Sequence, residues 1–167
     1  MTFQQQQLSI LIVEDNPGDL YLLEENLALT RLTIGRVYKA RSVAEAINIL
    51  GEFYINMILL DLSLPDSTGF DSFVHISEYA AGIPIIVLTG LADMDLALET
   101  MANGAQDYLL KGEYDERLLY KSIQYSVERN RILESLRESS ESYRNLFFNN
   151  PLPIIIWDLQ HFQVLEV

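Results

Sequence analysis

Cysteine is absent from the 167 residues, which excludes disulfides, thiolate nucleophiles and cysteine-type zinc sites. Histidine is nearly so: His75 and His161 are too few for a histidine-rich metal centre. Positive charge is scarce, with 11 Lys and Arg against 24 Asp and Glu for a formal charge of -13, and residues 1–115 hold 5 basic against 17 acidic side chains. Nucleic acids are gripped through clustered Lys and Arg, so DNA or RNA binding is not expected, and no basic patch suits an anionic membrane. No apolar run approaches the roughly 20 residues of a spanning helix, and Met1 to Gln7 carry neither Lys nor Arg ahead of an apolar stretch, so a soluble, cytoplasmic chain is expected. Glycine and proline are missing from Glu113 through Asn150, leaving nothing there to interrupt a helix.

What is present suits a packed core: 49% of residues are apolar and 21% charged. The length fits one ordinary domain with an appendage. Five apolar bursts, Leu8–Val13, Ile34–Lys39, Ile55–Leu60, Ile83–Leu88 and Asp107–Leu110, alternate with stretches of helical spacing at Pro17–Thr30, Val43–Leu50, Phe70–Tyr79 and Asp93–Ala102. Asn16 before Pro17 reads as an N-cap, and Ser42 with Glu45 as a capping box. The third and fourth bursts are almost continuously apolar, as in strands covered on both faces. The pattern predicts an α/β fold, a doubly wound five-stranded parallel sheet flanked by helices, with an extended C-terminal helix.

Such sheets carry their ligand sites beyond the carboxyl ends of the strands. The residues there are Glu14 and Asp15 after the first burst, Asp61 after the third, Thr89 after the fourth and Lys111 after the fifth. Three converging carboxylates raise one another's pKa unless a cation joins them, and Mg²⁺ is the economical choice because it takes oxygen ligands from few carboxylates and keeps its waters. Asp61 can then attack phosphorus as a carboxylate nucleophile, with Lys111 and the Thr89 hydroxyl meeting the phosphoryl oxygens. Phosphoryl transfer needs mostly positioning and charge neutralisation, so no general base is required.

Four motifs in order now carry a resemblance: Leu11-Ile12-Val13-Glu14-Asp15-Asn16, Leu60-Asp61-Leu62-Ser63-Leu64-Pro65-Asp66-Ser67-Thr68-Gly69, Val87-Leu88-Thr89-Gly90, and Gly104-Ala105-Gln106-Asp107-Tyr108-Leu109-Leu110-Lys111. Over about residues 8–125 the chain resembles the receiver domains of two-component response regulators. The resemblance implies a flavodoxin-like fold and a phosphoacceptor module with no turnover activity beyond its own phosphorylation and dephosphorylation. It implies a histidine kinase or histidine phosphotransfer protein as partner, Asp61 as phosphoacceptor, and Mg²⁺ held by Glu14, Asp15, Asp61 and the Ser63 carbonyl. Thr89 and Lys111 would read the phosphoryl group, and Tyr108 takes the place of the switch aromatic that moves with Thr89. One departure stands out: the family usually has proline after the lysine, joined by a cis bond, and here Gly112 follows. A cis bond without proline costs about 2.5–4 kcal/mol, so a trans bond, or a cis bond held by its surroundings, is expected.

The expected division is a receiver domain at 1–117, an extended linker helix at 118–148, and at 149–167 the truncated start of a PAS-like sensor domain. In the helix Leu119, Ser126, Leu133, Ser140 and Phe147 fall seven apart, interleaved with Ser122, Arg129, Leu136 and Tyr143. The spacing fits either a coiled coil joining a homodimer or a helix packed on its own domain. The last segment resembles the opening of a PAS domain, and its alternative is an apolar tail that folds back.

Each site residue also has an ordinary reading. Glu14 and Asp15 can simply favour the dipole of a following helix. Asp61 can be a turn residue, Thr89-Gly90 a loop, Lys111 a solvated charge and Tyr108 a fixed core ring. Asp66 reads as turn chemistry between Pro65 and Gly69, and His75 as a histidine far from the motifs. Two rival functions remain: a docking or dimerisation receiver that is not phosphorylated, and a haloacid-dehalogenase-like phosphatase. The latter chemistry wants a second Asp two positions after the nucleophile, where this chain has Ser63.

Overall fold

A computed structural model describes residues 7–148, 156–158 and 163–166. The chain divides into two compact units, Met1–Asn130 and Arg131–Val167. The first unit alternates strand and helix: β1 (Leu8–Val13), α1 (Pro17–Leu29), β2 (Ile34–Ala40), α2 (Val43–Glu52), β3 (Met57–Asp61), α3 (Phe70–Tyr79), β4 (Ile85–Thr89), α4 (Met94–Ala102) and β5 (Asp107–Leu110). A long helix, α5 (Glu116–Phe148), follows. All five strands are parallel in the order β2-β1-β3-β4-β5. The order reverses between β1 and β3, which opens a crevice at their carboxyl ends.

The two faces of the sheet explain the continuous apolar strands. Ile10, Ile12, Met57, Leu59, Ile86, Leu88 and Leu109 point to one side, where Leu23 and Leu27 of α1 and Leu119 and Ile123 of α5 cover them. Leu11, Val13, Ile58, Leu60, Ile85 and Val87 point to the other and meet Val43 and Ala46 of α2 with Phe73 and Ile76 of α3. Successive strand residues face opposite layers, so a sheet covered twice requires apolar side chains at every position.

Strands β3 and β4 lie one or two residues later than the bursts suggest. Asn56, just ahead of β3, donates its N–H to Ser9 O of β1 and accepts the Ser9 N–H at its side-chain Oδ1, both at 2.8 Å. Pro84 has no N–H to give and offers only its carbonyl, to Ile58 N at 3.0 Å. Asp61 and Thr89 are therefore the last residues of their strands, paired with Leu88 and Leu110, and not the first of the loops. The helical stretch expected at Asp93–Ala102 opens as a 3-10 turn, Leu91–Asp93, before α4.

Asn16 caps α1 as its sequence suggests, Oδ1 accepting from Gly18 N at 2.8 Å and Asp19 N at 3.3 Å. Ser42 Oγ accepts from Glu45 N at 3.2 Å, while Glu45 Oε2 reaches back to Arg41 N at 2.7 Å. Asp66 departs from the turn role expected of it. From the β3–α3 loop its two carboxylate oxygens accept from Val43 N at 2.9 Å and Ala44 N at 3.0 Å, so it caps α2 from outside the helix. His75 is exposed on α3.

The first half of α5 belongs to the domain core. Leu119 and Ile123 are fully buried, Ser122 Oγ donates to Asp107 Oδ2, and Asn130 Nδ2 donates to Gly82 O at 2.7 Å. Of the sevenfold positions, Leu119, Ser122 and Ser126 are thus buried within the first unit, whereas Leu133 and Leu136 are 50% and 66% exposed. In the second unit, β6 (Ile156–Asp158) and β7 (Gln163–Glu166) pair antiparallel. The Asn149–Pro153 part of the PAS-like stretch, and the side chain of Phe147, lie outside the described residues. No helix among the described residues is long and apolar enough to cross a membrane.

The Asp66 cap makes a prediction. Burial pulls its carboxyl upward, but the Ala44 and Val43 amides outweigh that and hold it below its ordinary 3.8. Asp66→Ala should lower stability at neutral pH by about 1 kcal/mol, seen as a lower urea midpoint with unchanged slope. A depressed carboxyl contributes fully above its unfolded value and loses the contribution as pH falls through the folded one. Variant and parent should therefore converge in acid; a constant gap down to the lowest pH would reject the cap.

Candidate functional site at the sheet switch point

Three strand ends meet in the crevice. β1 delivers Glu14 and Asp15, β3 ends on Asp61, and Lys111 follows β5. One carboxylate oxygen from each of Glu14, Asp15 and Asp61 lies within 4.8 Å of the others. Glu14 is 1% exposed and Asp61 4%, while Asp15 faces solvent. The backbone supplies part of the order: Glu14 Oε1 accepts from Asn16 N at 3.0 Å and Asp61 Oδ1 from Ser63 N at 3.2 Å.

A single ammonium balances this charge. Lys111 Nζ lies 2.7 Å from Glu14 Oε2, 2.9 Å from Asp61 Oδ2 and 3.0 Å from Asp19 Oδ2. Burial alone would pull the lysine pKa down, but its bonds to Glu14, Asp61 and Asp19 more than offset this and raise it above its ordinary 10.5. Glu14 moves up as well, because burial and the Asp61 charge outweigh the help it receives from Lys111. The contact between Glu14 Oε2 and the ammonium is close but outside hydrogen-bond angles, and this oxygen has no other donor. We read it as an ion pair that leaves a lone pair of a buried carboxylate unsatisfied. An orphaned buried oxygen beside two further carboxylates is a hard-oxygen donor set, and it fits a divalent cation of the Mg²⁺ type.

Asp19 is the residue that sequence reasoning missed. Its position in the first turn of α1 reads as dipole complementation, and nothing local in the sequence links it to a lysine 92 residues away. Tyr114, which packs on the α1–α5 side, is the other neighbour: burial raises its hydroxyl pKa while the Lys111 charge opposes.

The remaining expected residues stand close by without joining the ion pairs. Thr89 is buried at the end of β4, and its carbonyl accepts from Lys111 N at 2.8 Å. Its hydroxyl meets only the Gly90 carbonyl, at a long 3.4 Å. Ser63 is exposed just past Asp61 and bridges to Thr68. Tyr108 lies opposite Val87, half-buried against the cluster on the α2–α3 side. There is no cis peptide among the described residues, so Lys111-Gly112 is trans, and Gly112 adopts φ +80°. Proline fixes φ near −65°, so the usual family residue cannot take this backbone.

A 2-1-3-4-5 parallel sheet with an acidic cluster and a lysine at its switch point is the architecture of the CheY-like α/β signalling modules. A model of the response regulator receiver domain family matches residues 10–124, and the chain belongs to that family. It is 36% identical over 107 residues to the regulatory protein LuxO of Vibrio cholerae, covering 64% of this chain and 23% of that one. It is 32% identical over 110 residues to the transcriptional regulatory protein MalR of Bacillus subtilis, covering 62% and 44%. The chain thus spans less than half the length of these relatives. Among solved structures, a receiver domain protein of Clostridium thermocellum superposes with TM-score 0.61 at 27% identity, covering 75% of this chain and 98% of that one. The signal receiver domain of an HD domain-containing protein of Pseudomonas fluorescens gives 0.69 at 21% identity, covering 81% and 96%, and bears on the fold alone. Receiver domains of response regulators interact with histidine kinases or phosphotransfer proteins, so this is a receiver domain of a two-component system.

The charge balance predicts a coupling. Lys111→Ala should destabilise the metal-free domain by about 2–4 kcal/mol, since removing one partner strands buried charge. Adding Glu14→Gln should restore part of the loss, because it removes one of the stranded charges. Denaturant melts of the single and double variants in EDTA measure this; strictly additive losses would refute it. The raised lysine contributes fully below 10.5 and fails only at more alkaline pH, so both effects should persist at neutral pH.

Proposed function

We propose that the domain accepts a phosphoryl group on Asp61 from a phosphohistidine of a histidine kinase or phosphotransfer protein, in the cytoplasm. The observation that carries this reading is the Lys111 ammonium spanning Asp61 Oδ2 and Glu14 Oε2 beside the three-carboxylate cluster. A carboxylate oxygen of Asp61 attacks phosphorus and forms an acyl phosphate, the P–N bond breaks, and the leaving imidazole keeps that electron pair. Glu14, Asp15, Asp61 and the Ser63 carbonyl would hold Mg²⁺. The ion, when bound, neutralises these carboxylates and the phosphoryl oxygens. Lys111 donates to a phosphoryl oxygen, and the loosely held Thr89 hydroxyl turns from Gly90 O to another.

The same turn of Thr89 vacates volume beside β5, and Tyr108 moves with it, so that phosphate favours one of two arrangements through its different contacts with each. The receiver unit is assigned to 1–117 and the linker helix to 118–148, followed by the start of a PAS-like sensor domain at 149–167. Leu133 and Leu136, exposed at coiled-coil spacing, pair with those of a second copy to form a homodimer.

Intact mass after incubation with acetyl phosphate and Mg²⁺ should show one phosphoryl adduct, lost in Asp61→Asn and in EDTA. Absence of the adduct, together with no response to a beryllium fluoride mimic, would leave the docking module as the better account. Light scattering should give a dimer that the pair Leu133→Glu and Leu136→Glu reduces to monomer. A monomeric parent, with and without the mimic, would exclude the coil.

A further inference from the structure

The Lys111 ammonium lies within 3.0 Å of three carboxylates, and its hydrogen bond is to Asp19 Oδ2. Two of these, Glu14 and Asp61, belong to the acidic cluster suited to a cation. Asp19 does not belong to it; it stands on the first turn of α1, 3.0 Å from the ammonium. A cation held by Glu14 and Asp61 would take over the counter-charge that Lys111 gives them, and a phosphoryl group on Asp61 would compete with them for the ammonium. Asp19 is the one partner that neither event displaces.

The α1 turn is well suited to hold it. Asn16 Oδ1 accepts from both Gly18 N and Asp19 N, and Asn16 N in turn donates to Glu14 Oε1. The backbone of Asp19 is thus tied through one residue to the carboxylate that flanks Asp61. Lys111, by contrast, reaches the site on a flexible four-carbon stem whose freedom must be lost before its donor is aimed.

We propose that Asp19 is a positioning residue for phosphoryl transfer, anchoring the Lys111 ammonium at the mouth of the crevice so that it is already directed at Asp61 when the phosphoryl group arrives. This rests on Asp61 being the phosphoacceptor. Both side chains are partly exposed, Asp19 at 39% and Lys111 at 22%, so solvent screens the pair and its effect is moderate.

The test is the rate of labelling by acetyl phosphate at saturating Mg²⁺, followed by intact mass in the parent, Asp19→Asn and Asp19→Glu, with Mg²⁺ affinity from calorimetry and thermal midpoints alongside. Asp19→Asn should label more slowly, on the order of fivefold, with unchanged Mg²⁺ affinity, and Asp19→Glu should regain most of the rate because the charge is restored. An Asn variant that labels as fast as the parent, or faster, overturns the anchor. So does a loss of rate matched by a loss of Mg²⁺ affinity, or a Glu variant as slow as Asn with both less thermostable, since the defect is then in the cation site or the helix start. A parent that takes no label removes the phosphoacceptor reading itself, which separates that failure from failure of Asp19 alone.

Discussion

Everything at the carboxyl end of the sheet depends on one lysine compensating several carboxylates. Parallel strands drawn to the same level bring Glu14 and Asp61 into the same buried volume, and like charges there oppose folding. Lys111 answers this from the far side of β4: its backbone N–H is bonded to Thr89 O, and its side chain crosses to Glu14 and Asp61. The side chains alone hold the site by a compromise in which the lysine pKa is raised by its carboxylate partners and Glu14 remains above its ordinary pKa. The uncompensated negative charge and the buried Glu14 oxygen make a hard-oxygen donor set of the kind that suits a divalent cation.

That local arrangement sits in a domain short of positive charge. With 5 basic residues against 17 acidic ones up to Asp115, few cations can be shared among carboxylates, and one of the five is Lys111. The surrounding field attracts divalent ions toward the crevice and repels polyanions.

Much of this was legible in the sequence because the relevant signals are local. The nearly continuous apolar bursts at Ile55–Leu60 and Ile83–Leu88 follow from two covered faces, and Asn16-Pro17 and Ser42 mark helix starts by side-chain chemistry that acts within three residues. The polar residues after the bursts were legible for the same reason, since strand ends in a parallel sheet lie on one side. Contacts that cross the fold were not. Asp66 looks like a turn residue, and its true role, capping α2, spans 22 and 23 residues and depends on how the β3–α3 loop lies against that helix. Asp19 and Lys111 meet only because the lysine side chain crosses from the end of β5 to the start of α1. Strand limits shifted where Asn56 meets β1 through its side-chain oxygen and Pro84 has no N–H to donate, a matter of individual donors and acceptors that periodicity does not register.

The long helix shows how one periodic pattern can serve two purposes. Serines at positions 122 and 126 weaken a coiled-coil seam, yet both are buried, and Ser122 satisfies Asp107 at the start of β5. Asp107 Oδ1 also accepts from Tyr108 N, so the serine, the aspartate and the proposed switch aromatic form one hydrogen-bonded chain. Asn130, a helical turn further, ties the helix to Gly82 ahead of β4. Ser122, which looks like a defect in a coil, is thus a fastening of α5 to β5. The buried Leu119 and Ile123 hold this first part of α5 on the sheet face, since they cannot slide without opening the core. Strand β5 carries Tyr108 and leads directly to Lys111, and through Asp107 and Ser122 it is hydrogen-bonded to α5.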